Sequence, residues 1–137
     1  MPGLTRFSVS LDRDLLKRFD AQIKAEHYPT RSKAIADLIR DSLIKKQWVE
    51  GKAVAGAIVL VYDHHKPDLT NKLTHIQHDA HGLIVSSQHV HLDHHNCLEI
   101  IVVKGKPRRV ETLAQKLRSV KGVKHASLTM TTTGKGV

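Results

Sequence analysis

Apolar and polar residues alternate near the start of the chain. In the stretch LTRFSVSL, residues 4–11, every second residue from Phe7 onward is apolar. Alternation of this kind is typical of a strand that buries one face, because successive side chains of a strand point to opposite faces. The apolar face carries Phe7, Val9 and Leu11, and the polar face carries Arg6, Ser8 and Ser10.

Helical spacing replaces the alternation after Asp12, which can serve as an N-cap. Apolar residues then recur every three or four positions until the stretch EHYPT interrupts them, and they recur again after Thr30. The second helix is expected to end near Trp48, before Gly51. The first region, residues 1–50, is therefore predicted to fold as strand, helix and helix.

A single strand leaves its backbone donors and acceptors unpaired, and nothing else in residues 1–50 is predicted to be a strand. An identical chain is the simplest partner: two strands would pair about a two-fold axis, with four helices covering the apolar face. The polar face of that ribbon fits the major groove of DNA, where an arginine can read guanine and hydroxyl groups can contact base edges. The alternative is a strand at the edge of a larger sheet whose polar residues face water.

The second region, residues 51–137, alternates apolar strands with amphipathic helices. The predicted order is strand, helix, strand, strand, helix, strand, over residues 53–62, 67–77, 82–92, 97–105, 107–120 and 122–130. This is the order of the ferredoxin-like fold, in which both helices cover one face of a four-stranded sheet. The other face needs another copy or a ligand to bury it. The fold class is therefore predicted to be α+β, and the chain is expected to oligomerise.

Composition narrows the choice of partners. The 137 residues include 22 Lys and Arg against 13 Asp and Glu, which gives a net charge of +9 and a pI near 9.9. This excess of positive charge favours a polyanion such as nucleic acid. The sequence has no run of about 18 apolar residues, and its first residues lack the apolar core of a signal peptide. We therefore expect a cytoplasmic protein with no membrane partner.

Four histidines and the single cysteine of the chain lie within HVHLDHHNC, residues 89–97. Residues two apart on a strand share a face, so His89 and His91 are expected to project together. The polar turn after them could bring Cys97, which has no cysteine partner, back beside both imidazoles. Two imidazoles and a thiolate suit zinc, copper or nickel. The alternative is a solvated histidine-rich hairpin with a buried Cys97; the two turn histidines are expected to be solvated in either case.

Four stretches of the chain carry a resemblance to a known family. TRFSVSLD, RSKAIADLIR, QHVHLDHHNCLEI and VKGKPRRV, in this order, resemble the nickel-responsive repressors of the NikR family over nearly the whole chain. The resemblance implies a ribbon-helix-helix domain for DNA binding and dimerisation over residues 1–50. Over residues 51–137 it implies a ferredoxin-like, ACT-type domain for metal binding and tetramerisation, with square-planar Ni(II) at the tetramer interface.

The same resemblance implies the site residues. Three nickel ligands match His89, His91 and Cys97. The fourth ligand comes from another subunit and matches His78, which the family's spacing from the H-V-H motif selects over two nearby histidines. The residues that face DNA match three residues of the polar strand face and one loop residue: Arg6, Ser8, Ser10 and Lys66.

A function follows from this resemblance as well. It implies a DNA-binding repressor in which Ni(II) raises the affinity for an inverted-repeat operator, assembled as a homotetramer from two dimers. One alternative is an ACT-type protein that binds a metal or a small molecule without sequence-specific DNA binding. The other is a metalloenzyme with Glu99 as candidate base, but four filled coordination positions would leave none open for substrate. We therefore expect no enzymatic activity.

One position departs from the family pattern. The family usually carries an acidic residue where Lys33 stands, and that residue holds a second cation together with the acid that matches Asp37. Lys33 stands four residues before Asp37, on the same face of the predicted helix. We expect the Lys33 ammonium group to take the place of the cation.

Overall fold

A computed structural model describes residues 3–137, which form two compact units, one ending at Asp41 and the other running over Ser42–Val137. Four helices and four strands follow in the order α1, α2, β1, α3, β2, β3, α4 and β4. Their bounds are Arg13–Ala25, Arg31–Glu50, Val54–Tyr62, Pro67–Asp79, Ile84–His91, Cys97–Gly105, Pro107–Arg118 and Val123–Met130.

Side-chain caps begin α1 and α2, as their sequences predict. The Asp12 carboxylate accepts the backbone N–H groups of Asp14 and Leu15 at 2.9 and 3.2 Å. The Thr30 hydroxyl accepts the backbone N–H of Lys33 at 3.1 Å. Each cap satisfies a donor that has no partner within its own helix, which fixes where α1 and α2 start.

The strand predicted over residues 4–11 is not formed within the single chain. The segment has no strand assignment, and Phe7 and Val9 are 68% and 57% exposed. A strand requires a second backbone to accept and donate its hydrogen bonds, and the residues that the structure describes supply none to this segment. The alternation in the sequence therefore describes a surface that one copy of the chain cannot bury.

The second unit contains a four-stranded antiparallel sheet in the order β2-β3-β1-β4. The elements of this unit follow one another along the chain in the predicted ferredoxin-like order, and the fold class α+β is confirmed. The observed strands and helices of this unit begin and end within about two residues of their predicted bounds. Gly51, with a φ of +80°, follows α2 in the left-handed conformation that glycine adopts without strain.

The core lies between one face of the sheet and helices α3 and α4. Alternate residues of β1 are buried, and they pack with buried residues of β3 and of both helices, among them Leu60, Ile101, Leu73 and Leu117. The apolar residues of the other sheet face remain partly open, since Val90 and Val102 are 37% and 38% exposed. No helix among residues 3–137 is long and apolar enough to cross a membrane.

Candidate metal centre

The ends of three strands meet at Cys97, the first residue of β3. Cys97 stands directly opposite Tyr62, the last residue of β1, and opposite His91, the last residue of β2. His89 stands opposite Glu99 in the same register. Directly opposed residues of antiparallel strands project to the same face, so the two histidines and the cysteine share the face that the helices cover.

His89 and Cys97 are close enough to bind one metal ion. The Cys97 Sγ lies 4.0 Å from the His89 Nδ1, and ligand bonds of about 2.0 to 2.3 Å can span that separation. Cys97 is buried, whereas the His89 side chain is 54% exposed. The donor set of imidazole nitrogens and one thiolate, buried at the sulfur and open at the imidazoles, fits a nickel, copper or zinc ion.

A buried carboxylate lies beside His89. Glu99 is 1% exposed; its Oε1 accepts the Tyr62 hydroxyl at 2.7 Å and its Oε2 accepts the Gln77 amide at 2.9 Å. The same Oε2 lies 3.5 Å from the His89 Nε2. A metal-binding histidine ordinarily donates its second ring N–H to such a carboxylate. The arrangement therefore leaves the His89 Nδ1 to face Cys97 as the ligand atom.

Tyr62 completes this hydrogen-bond network. Its hydroxyl lies 3.4 Å from the His89 Nδ1 as well as donating to Glu99. Burial and the neighbouring Glu99 raise the pKa of Tyr62 far above its usual range, so the phenol stays protonated and remains a donor. Glu99 was also a candidate catalytic base, but both of its carboxylate oxygens already accept hydrogen bonds from Tyr62 and Gln77.

His64 is a neighbour of the site that the sequence pattern did not single out. Its ring lies 4.4 Å from the His91 ring and 4.1 Å from the His65 ring, measured between centroids. Burial and the two neighbouring histidines lower the pKa of His64, which favours a neutral ring. Among the residues that the structure describes, its Nδ1 is buried without a hydrogen-bond partner.

His78 lies in the last turn of α3, within the helix rather than just after it. It is exposed and lines an open pocket with Thr74 and His81. Within the described part of the chain, no hydrogen bond or ring contact joins His78 to His89, His91 or Cys97. The structure of one copy thus brings together part of the predicted ligand set and leaves His78 facing outward.

The residues predicted to face DNA are all exposed. Arg6, Ser8 and Ser10 lie on the unpaired segment of the first unit, and Lys66 precedes the first residue of α3 in the second unit. Each has its side chain available to a phosphate or a base edge. The structure of a single chain leaves their roles as predictions.

Lys33 contacts Asp37 as the sequence spacing predicts. The Lys33 ammonium lies 2.6 Å from one oxygen of Asp37, and the Tyr28 hydroxyl donates to the other oxygen at 2.9 Å. Together with the more distant Arg40, these contacts hold the pKa of Asp37 below its usual range, with the hydrogen bond from Lys33 as the largest cause. A positive group of the chain itself therefore neutralises the Asp37 carboxylate.

Two protein families match the chain in succession. The family described as "Ribbon-helix-helix protein, copG family" matches residues 5–46, and the family described as "NikR C terminal nickel binding domain" matches residues 55–131. The solved structure of an uncharacterized protein from Thermotoga maritima is similar in fold. Its TM-score is 0.52 at 12% identity, and the match covers 58% of this chain and 98% of that one.

Relatives of known name match nearly the whole chain. A protein of Nitratidesulfovibrio vulgaris is 57% identical over 130 residues, 94% of each chain. A protein of Chlorobium limicola is 56% identical over 134 residues, which are 98% of this chain and all of the relative, and a protein of Syntrophus aciditrophicus is 54% identical over 134 residues, 98% of each. All three carry the name "Putative nickel-responsive regulator".

The order of the two family matches defines a class: a ribbon-helix-helix protein that carries a second, metal-binding domain after its helices. Within that class the second match is specific, because it spans the three strand ends that carry His89, His91 and Cys97. The chain belongs to the NikR family.

Proposed function

We propose that this protein is a nickel-responsive transcriptional repressor whose affinity for an operator rises when Ni(II) binds. The observation that carries the proposal is that His89, His91 and Cys97 share one face at one end of the sheet, with His89 between Cys97 and the buried Glu99. The family matches and the names of the relatives support both nickel and DNA as partners.

The proposed nickel ligands are His89, His91 and Cys97 of one copy and His78 of another. A thiolate with imidazole nitrogens is a donor set that suits Ni(II) in tetragonal coordination. Within one chain, no contact joins His78 to the other three residues. His78 is exposed in the last turn of α3, where it can reach a neighbouring copy. β2 is the outermost strand on its side of the sheet, so a neighbouring copy has access to its histidines.

The proposed DNA-binding unit is a dimer of the N-terminal segment. An open groove of about 830 Å³ in the first unit is lined by apolar side chains, including Phe7, Val9, Phe19 and Ile39. The equivalent segment of a second copy would cover this apolar surface and pair with the unpaired backbone of residues 4–11. The ribbon so formed would turn Arg6, Ser8 and Ser10 of both copies towards the major groove.

A tetramer of two such dimers accounts for the remaining open surface. The sheet face that carries Val90 and Val102 is only partly buried in one chain, and an apolar sheet face is stable when a second layer covers it. Two ribbons on one assembly would read an operator built as an inverted repeat. A repressor of this kind works where its operators are, so we place it in the cytoplasm, with no membrane partner and no enzymatic activity.

The two sites are proposed to communicate through α3. His78 stands in the last turn of this helix, and Lys66 stands at its N-terminal end. When His78 is held at the nickel site of a neighbouring copy, the position of the helix is restricted, and with it the position of the Lys66 ammonium group. Lys66 would then be directed to the phosphate backbone, which converts local ordering into affinity for DNA.

Metal titration followed by DNA binding tests the proposal. Operator sequences are selected from a library of random duplexes in the presence of Ni(II), and the affinity for the selected duplex is measured with and without the metal. We expect Cys97→Ser to abolish the thiolate-to-nickel absorption and the gain in affinity. His75→Ala, a change at an exposed histidine outside the proposed ligand set, should preserve both. Equal DNA affinity with and without Ni(II) in the unmodified protein would contradict the proposal.

A further inference from the structure

Helices α3 and α4 contact each other on one face of the sheet and leave a groove between them. Two open cavities, of about 210 and 550 Å³, lie along this groove. Ile76 of α3 lines both cavities, and residues of α4 or of the turn after it line each of them. The two cavities are therefore parts of one surface feature, the α3–α4 groove.

Basic side chains form the walls of the α3–α4 groove. Five cationic residues line it, and all of them are exposed: Lys72, Arg108, Arg109, Lys116 and Lys121. Within residues 3–137, none of the five forms an ion pair with a carboxylate. Asp79 is the acidic residue of the described lining, and it already lies 3.4 Å from His75. The groove thus carries positive charge that one chain leaves uncompensated.

The floor of the α3–α4 groove is apolar. Ile76, Ala80 and Val120 are half-buried there and pack with one side against the core. Contacts to nucleic-acid phosphates are polar, so a nucleic acid would meet the basic walls and make no use of this floor. Apolar side chains of a partner would cover the floor and remove it from water. The groove therefore favours a partner that is both negatively charged and apolar.

A second copy of the chain does not meet this requirement. The chain has a net charge of +9, and no two of its 13 acidic residues are adjacent in the sequence. The groove also lies apart from the contact proposed between copies, because Thr74 and His78 line a different pocket beside α3. Charge complementarity therefore points to another protein rather than to self-association.

We propose that the α3–α4 groove is a docking site for an acidic, amphipathic helix of another protein. Such a helix carries apolar side chains every three or four residues, which would lie on Ile76, Ala80 and Val120. The carboxylates on its flanks would face the two basic walls. An apolar centre with a charged rim is the usual arrangement of a protein interface. The site includes neither the proposed nickel ligands nor the residues proposed to face DNA.

The experiment measures the affinity of the full-length protein for two labelled peptides of about 18 residues by fluorescence anisotropy. One peptide forms a helix with leucine on one face and glutamate on the other. The second has the same composition in an order that gives no apolar face. We expect the second peptide to bind at least about tenfold more weakly, because it cannot cover the floor of the groove.

Charge reversal in the groove should weaken binding of the first peptide. Arg109→Glu and Lys116→Glu should each lower its affinity at least about tenfold, because the new carboxylate repels those of the peptide. Lys116→Arg keeps the charge and should preserve binding. Lys45→Glu is the matched control, since Lys45 is an exposed lysine of α2 that lines neither cavity. It changes the net charge equally and should alter the affinity by less than about twofold.

Three results would overturn the inference. Equal affinities for the two peptides would show that the apolar floor plays no part in binding. Equal losses in Lys45→Glu and Lys116→Glu would mean that the peptide is attracted by the overall charge of the protein. A random DNA duplex that loses affinity in Lys116→Glu, while neither peptide binds, would assign the basic walls to nucleic acid.

Discussion

The two units of the chain bury their apolar residues to very different extents. Up to Asp41, Ile23 and Ala34 are the buried apolar side chains among the described residues, while Phe7, Val9 and Leu38 are more than half exposed. From Ser42 onward, a continuous core joins the sheet to α3 and α4. The second unit is therefore stabilised by contacts within one chain, whereas the first has an apolar surface that one chain leaves open.

This comparison leads to the largest effect that we predict. Leu117 of α4 is completely buried in the core of the second unit. Leu117→Ala should lower the free energy of unfolding by about 2 to 5 kcal/mol, because it removes buried methyl groups and leaves a cavity. Denaturant unfolding of the metal-free protein measures this loss. The loss in free energy should not depend on the protein concentration as long as the assembly state is unchanged. A loss of less than about 1 kcal/mol would mean that the core is packed less closely than the burial of Leu117 indicates.

Phe7→Ala should have its effect on assembly instead. Phe7 is 68% exposed in one chain, so its removal costs the single chain little. If a second copy buries it, truncation should weaken the dimer by about 2 to 4 kcal/mol, as is usual for an aromatic residue at the centre of an interface. Sedimentation over a range of concentrations measures the change. A dimer of unchanged stability would show that residues 4–11 do not form the interface.

Arg6→Ala should show whether the Arg6 side chain contacts a base edge or a phosphate of the operator. If the guanidinium group reads a base, the loss is about 1 to 3 kcal/mol on the operator and much less on random DNA. Lys66→Ala is the comparison, because a phosphate contact should weaken binding to both kinds of DNA and lower the salt dependence by about one ion. Fluorescence anisotropy with both duplexes gives the four affinities. Equal losses on operator and random DNA in Arg6→Ala would make Arg6 a phosphate contact.

The smallest predicted effect concerns the Lys33–Asp37 pair of the first unit. Lys33→Met removes the largest cause of the lowered Asp37 pKa, so this pKa should rise towards its ordinary value of 3.8. A carboxyl group whose pKa is lowered on folding stabilises the folded state above its unfolded pKa, and this stabilisation is lost as the pH falls through the folded pKa. In Lys33→Met the stabilisation that Asp37 gives to the folded state should therefore be smaller. As the pH falls, it should be lost at a higher pH than in the unmodified protein.

An NMR titration of the Asp37 carboxyl group measures the shift directly. Arg40→Met is the control, because Arg40 lies 3.6 Å from Asp37 and is the last of the causes of its lowered pKa. It should move the Asp37 pKa less than Lys33→Met does. An unchanged pKa in Lys33→Met would show that Tyr28 alone holds the carboxylate.

Much of the second unit could be predicted from the sequence because its signals are local. The apolar run CLEIIVVKG predicts β3 with its observed bounds, and proline at position 107 marks the start of α4. β2 is predicted to begin at residue 82, but the strand starts at Ile84. Gly82 has a φ of +91°, and the Leu83 N–H closes a turn by donating to the Ala80 carbonyl at 3.1 Å. In the first unit the alternation was clear, yet one chain cannot supply the partner that turns it into a strand.

The surroundings of the candidate metal centre could not be predicted, because they depend on distant contacts. Glu99 is a charged residue for which exposure is the usual expectation, and its burial requires the Tyr62 hydroxyl and the Gln77 amide. Asp63, His65 and His95, which follow β1 or precede β3, have side-chain atoms within 4.8 Å of one another because of the register of these two strands. The tripeptide Asp-His-His, which occurs at residues 63–65 and again at 93–95, was the signal in the sequence that could have pointed to this proximity.

The central claim is that nickel strengthens DNA binding through His78 of a neighbouring copy. The most direct test compares the operator affinity with and without Ni(II) in His78→Ala and in His81→Ala, a change at the other exposed histidine of the same pocket. Coupling of this kind is typically about 5- to 150-fold, and DNA must tighten nickel by the same factor. The account predicts that His81→Ala keeps the full gain and that His78→Ala loses most of it. A full nickel response in His78→Ala would contradict the account.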